Sequence, residues 1–96
     1  MIAVVASFVI SEGKETEFET VANALVAEVR ANEPGCSLYQ LAKDRKTAGR
    51  YKMLELYTDM DAFKVHGGTD WFKVAMPKMA PCFAEAPVVE IMECVG

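Results

Sequence analysis

Positive charge is scarce and scattered in this chain. Ten lysines and arginines stand against 14 acids, for a net charge of −4, and they form no basic cluster. Nucleic-acid phosphates need a concentrated Lys/Arg surface, so that class of partner is excluded. The aromatics of residues 50–57 are also not set in the order of an RNA-binding strand. No apolar run approaches the ~18–20 residues of a membrane span. Met1 to Ile10 is apolar, but no positive residue precedes it and Ser11-Glu12-Gly13-Lys14 follows at once. It reads as a first strand rather than a signal peptide. The expectation is a soluble cytoplasmic protein with no membrane partner. Cysteine is sparse and odd in count: Cys36, Cys82 and Cys94 have neither the spacing of a disulfide framework nor that of a zinc site. Histidine occurs once, at His66, without acids clustered around it, so no metal site is expected. Repeats, low-complexity tracts and linkers are missing too.

Apolar residues, by contrast, are plentiful. They make up 52% of the 96 residues. Residues 1–96 are expected to form one domain. A chain this short buries only ~60–65% of the surface its unfolded form exposes. More apolar surface than a small core absorbs implies a partner, most simply a second copy of the chain.

Periodicity gives the order of elements. Ile2 to Ile10 has the Val/Ile/Phe composition of a buried strand. Ser11 is the expected cap of a helix whose Phe18, Val21, Ala22, Leu25, Val26 and Val29 recur at helical spacing. Pro34-Gly35 ends that helix. A second strand is expected from Cys36 to Ala42, with Cys36 and Leu38 on one face and Tyr39 and Leu41 on the other. Asp44 to Gly49 reads as a hairpin loop, and Arg50 to Tyr57 as a third strand with Tyr51, Met53, Glu55 and Tyr57 on one face. A last strand follows Pro87, from Val88 to Val95. The order β-α-β-β-α-β predicts an α+β, ferredoxin-like split βαβ fold: a four-stranded antiparallel sheet with helices on one face. Its bare face is predicted to pack on a second sheet in a dimer.

The region from Tyr51 to Met79 carries the chemistry. Asp59 or Thr58 can cap a short helix that places Ala62, Phe63 and His66 along one side. After Gly67-Gly68, Thr69 can cap a second helix with a stripe of Trp71, Phe72, Ala75, Met76 and Met79. Pro77 should bend this helix and leave space beneath it, next to His66. An imidazole beside a Trp/Phe/Met surface can serve as a general base for an apolar substrate. It can equally close a helix end through its charge and a carbonyl bond. The aromatic stripe can be plain core. Glu55, between apolar neighbours, needs a partner, and a structural bond or ion pair to Arg50 or Arg45 is the expectation. Among Tyr39, Tyr51 and Tyr57, the last is nearest His66 in sequence and is the preferred donor to a substrate oxygen.

Glu33-Pro34-Gly35-Cys36 with Tyr39, then Glu55-Leu56-Tyr57 with Asp59, Ala62-Phe63, His66, Thr69, Phe72-Lys73 and Pro77, resembles the antibiotic biosynthesis monooxygenase family. The resemblance runs over nearly the whole chain. It implies a dimeric α+β barrel and, within each subunit, a pocket between sheet and helices for small aromatic or quinol-like compounds. Several members oxygenate such compounds with O2 and without metal or flavin, so no cofactor is expected. Relatives also include haem-degrading enzymes and an isomerase of a phosphorylated sugar derivative. Ala6 or Ser7 stands where haem-degrading relatives carry an asparagine, and the pocket segment offers little positive charge beyond Lys73 and Lys78. The expectation is therefore a cofactor-independent monooxygenase of phenolic or quinol-type compounds. His66 would be its base, and Trp71, Phe72, Met76, Phe63 and Tyr57 would hold the substrate. An O2-independent isomerase and a non-enzymatic ligand-binding dimer are the alternatives.

Overall fold

The computed structural model describes residues 1–96. Strand β1 (Ile2–Val9) leads to helix α1 (Glu15–Asn32), then to β2 (Cys36–Lys43) and β3 (Arg50–Tyr57). Helices α2 (Met60–Gly67) and α3 (Asp70–Met79), a 3₁₀ turn (Ala80–Cys82) and β4 (Val88–Glu93) complete the chain. The strands form one sheet in the order β2-β3-β1-β4, every neighbouring pair antiparallel. This is the predicted α+β, ferredoxin-like arrangement, with the second helix broken at Gly67-Gly68.

The strands bury alternate residues because successive side chains point to opposite faces. Val4, Ala6 and Phe8 of β1 and Tyr51, Met53, Glu55 and Tyr57 of β3 all face the helices and are buried. On α1 the apolar stripe Phe18, Ala22, Leu25, Val26 and Val29 lies against them. The aromatic rings of Phe8, Phe18, Tyr51 and Phe83 pack together at centroid distances of 4.9–6.4 Å, Phe8 and Phe83 stacked and the other pairs tilted or edge-on. Full burial of a side chain like Phe18 contributes about 2–3 kcal/mol, so this cluster anchors one end of the sheet. At the hairpin, Gly49 has φ +80° and lies so close to β1 that a Cβ there would meet the Ile10 carbonyl oxygen at 2.7 Å. Only glycine fits that turn.

Two local expectations are corrected. Ser11 does not cap α1: the helix begins four residues later, after Lys14, and its entry is closed by the Lys14 N–H donating to the Ser11 carbonyl. The intervening Gly13, at φ +86°, is what delays it. Cys36 does not share a face with Leu38. A bulge between them lets Cys36 pair with Tyr57 and Tyr39 with Glu55, so Cys36 and Tyr39 both face the helices. No helix is long and apolar enough to cross a membrane.

Candidate active site

Three local features bring the site together. Asp59 caps α2, its carboxylate accepting from the Ala62 N–H at 2.8 Å, and Thr69 caps α3 by accepting from Phe72 N–H. Both caps satisfy first-turn amides that otherwise lack partners. The loop after α1 then closes on α2. The Thr58 N–H donates to the Gly35 carbonyl, and a Cβ on Gly35 would lie 2.8 Å from the Ala62 Cβ. That close approach carries Glu33 to His66, across 33 residues of sequence.

Between helices and sheet lies a cavity of about 250 Å³. Its walls include Phe63, His66, Phe72, Met76, Tyr39 and Glu55. Pro77 lies inside α3, the helix that supplies Phe72 and Met76 to this wall. Pro87 and, on β4, Val89 also line the cavity, and Val89 is half exposed. Two larger depressions, each about 560 Å³, lie on the outer face of the sheet and between α1 and α3. Neither includes the histidine.

His66 is 3% exposed and held on three sides. Its Nδ1 lies 2.9 and 3.1 Å from the two carboxylate oxygens of Glu33, itself buried. Trp71 Nε1 donates to the same carboxylate at 2.7 Å. A carboxylate only accepts, so in the neutral ring Nδ1 carries the hydrogen and Nε2 keeps a lone pair. On that side the Tyr39 hydroxyl lies 3.4 Å from Nε2, a long contact, and Phe72 meets the imidazole edge to face at 4.8 Å. The array is thus acid, imidazole and phenol in a row, with the phenol in the cavity wall. Burial, with Glu55 and Glu33 nearby, pushes the Tyr39 hydroxyl far above its ordinary value, so it stays protonated.

Glu55 is the second polar group of the wall. It has no arginine partner; instead the Tyr57 hydroxyl donates to it at 2.6 Å. Burial pushes its carboxyl up to about 7, against the lowering effect of the Tyr57 bond. Burial, then Glu33 and Glu55, pushes the Cys36 thiol up to about 11, which leaves it unreactive. No three His, Cys, Asp or Glu side chains converge as a metal-ligand set.

Of the residues singled out in the sequence, His66, Phe63, Phe72 and Met76 meet at the cavity. Trp71 and Tyr57 do not line it. Trp71 is turned about 100° from Phe72 by the helical step and lies toward α1, holding Glu33 from outside. Tyr57 is fully buried beneath α2, its hydroxyl spent on Glu55. The tyrosine that does reach is Tyr39. The Glu33 contact carried no local signal.

The profile of the antibiotic biosynthesis monooxygenase family matches residues 1–78. A structure from Caulobacter crescentus CB15, assigned as an antibiotic biosynthesis monooxygenase, is similar at 50% identity over 99% of this chain and 90% of that one, with a TM-score of 0.96. A conserved protein from Methanosarcina mazei Go1 is 26% identical over 95% of this chain and 89% of that one, at a TM-score of 0.90. A Nitrosomonas europaea protein given the same assignment as the Caulobacter one shares the fold at 16% identity, with both chains fully covered and a TM-score of 0.93. No curated protein matches. With the profile over most of its length, this chain belongs to the antibiotic biosynthesis monooxygenase family.

Proposed function

We propose that this protein is a cofactor-independent monooxygenase of small phenolic or quinol-type compounds, working as a homodimer of single-domain chains in the cytoplasm. The observation that carries the reading is the Glu33–His66–Tyr39 array, which sets His66 and Tyr39 in the wall of a mainly apolar cavity. A cavity of ~150 Å³ accommodates benzene, so about 250 Å³ admits a substituted single ring or two fused rings. Phe63, Phe72 and Met76 would hold the ring, and Tyr39 would orient its oxygen.

His66 Nε2 takes the hydroxyl proton of the bound phenol, and Glu33 stabilises the imidazolium. The electron-rich phenolate then passes one electron to O2. Recombination forms a C–O bond at the ring, and the peroxide loses water to leave a carbonyl. One phenol and one O2 thus become one quinone and one water, the ring C–H and O–H hydrogens leaving in the water. Exclusion of bulk water by the aromatic walls keeps the intermediate from side reactions.

Oxygen uptake by the purified protein with hydroquinones, naphthols and anthrones tests this, with His66→Ala alongside. We expect uptake matched by quinone, and a fall of about 10²–10³-fold in the variant. Equal uptake by both would mean autoxidation in a passive cavity and would overturn the role of His66. Turnover that persists without O2 would instead assign an isomerase using the same base.

A further inference from the structure

A smaller depression lies against Glu33. It has a volume of about 230 Å³ and is lined by Glu33, Asn32, Cys36, Val65, Thr69 and Trp71, among others. The hydrogen-bonded Glu33–His66 pair therefore stands between two spaces. His66, bonded to Glu33 through Nδ1, faces the inner apolar cavity; Glu33 itself lines the outer one. The two carboxylate oxygens are not equivalent. Oε2 accepts from Trp71 at 2.7 Å and from His66 at 2.9 Å, whereas Oε1 has His66 alone, at 3.1 Å. Oε1 thus keeps acceptor capacity for water, and at ~30 Å³ per molecule the outer space holds several waters.

We propose that Glu33 and the outer depression form a proton conduit, by which a proton taken up by His66 from the inner cavity leaves to solvent without crossing the cavity. A proton arrives at Nε2 and forms the N–H bond there. The Nδ1 hydrogen moves to Glu33 Oε1, and Glu33 releases it to water in the outer depression. His66 is then neutral with its hydrogen on Nε2. When the O–O bond of a bound peroxide breaks, that Nε2 hydrogen protonates the departing oxygen, and a proton from the outer water returns through Glu33 to Nδ1. No net proton is made or consumed. The apolar cavity never has to admit water, which its aromatic walls disfavour. Trp71 is a positioning residue here: it pins Oε2 so that Oε1 is the one left to exchange.

The conduit rests on His66 being the base of the inner cavity, but its test needs no turnover. As the chain has one histidine, its ring gives one nitrogen-bound proton signal in ¹⁵N-histidine-labelled protein. Exchange of that proton with water is measured by NMR in the wild type, Val65→Phe and Glu33→Gln. Val65 is 64% exposed at the rim of the outer depression, so a phenylalanine there covers it without entering the core. We expect exchange to slow several-fold in Val65→Phe and about a hundredfold in Glu33→Gln, which cannot accept a proton. Filling the inner cavity with 2-naphthol should leave the wild-type rate unchanged. Exchange at the wild-type rate in Val65→Phe overturns the conduit whatever Glu33→Gln does, as does quenching by 2-naphthol. A protein that consumes no O2 yet shows the expected pattern would lose the oxygenase reading and keep the conduit.

Discussion

Glu55 is the residue whose cost is clearest. Its carboxyl is pushed up to about 7 mainly by burial, with Tyr57 bonded to it and Glu33 the nearest other acid. A folded-state value above the unfolded one means the native protein holds a proton that the unfolded chain releases first. Stability is then complete below about pH 4.5 and declines as pH rises to about 7, by about 3 kcal/mol in all. Glu55→Gln keeps an acceptor for Tyr57 and has no charge to bury. We predict that denaturant midpoints of the variant will exceed the wild type at pH 8 and converge with it near pH 4.5. Parallel curves across that range would mean that Glu55 is solvated in the native state. In the sequence, Glu55 is an acid between apolar neighbours, for which an arginine partner is the expectation. The answer instead lay two residues away on the same strand face. Glu33 was beyond such reasoning, since its partner His66 lies on another element and nothing in residues 30–36 points to it.

At the scale of elements, most of the fold was legible because it is written in short-range periods. The caps at Asp59 and Thr69 and the break between α2 and α3 follow from side-chain chemistry within three residues. What misled was rotation. The stripe on α3 is two faces: Phe72, Met76 and Met79 turn to the cavity, while Trp71, Val74 and Ala75 turn to α1. A bulge in β2 likewise moved Cys36 to the other side of the sheet, and bulges leave no clear mark in composition. The contact that fixes the site is between the α1–β2 loop and α2, and it is tight enough to test. Gly35→Ala places a methyl 2.8 Å from the Ala62 Cβ, so loop and helix must separate. We predict a loss of about 1–3 kcal/mol, read as a fall in melting temperature. Ala62→Gly alone should cost about 1 kcal/mol as a helix glycine. The double variant should be more stable than the sum of the two losses implies, since the clash is gone. Strict additivity would mean that the loop does not press on the helix.

For the whole molecule, the decisive feature is the face of the sheet that no helix covers. Read across the strands, its rows are Leu38, Leu56, Ala3, Met92; then Gln40, Leu54, Val5, Glu90; then Ala42, Lys52, Ser7, Val88. Leu38, Met92 and Val88 are 38%, 43% and 57% exposed, a broad apolar surface for a chain of this size. One cation, Lys52, and one anion, Glu90, sit in neighbouring rows on different strands. A two-fold axis through the face would set each against its opposite in a second copy, as an isologous contact requires. Sheets stacked ~10 Å apart would then bury the leucines of both. The proposed homodimer predicts a molecular mass of twice 10.6 kDa by sedimentation at micromolar concentration. Leu56→Glu, on an inner strand of this face, should give a folded monomer, because the substitution points away from the helix-side core and buries a charge only in the dimer. Because the cavity lies on the other side of the sheet, that monomer should still bind 2-naphthol. A variant that stays dimeric would place the contact elsewhere, on the edge of β4 or along the helices. A monomer that has lost the ligand would mean that the second copy stiffens the cavity through the sheet they share.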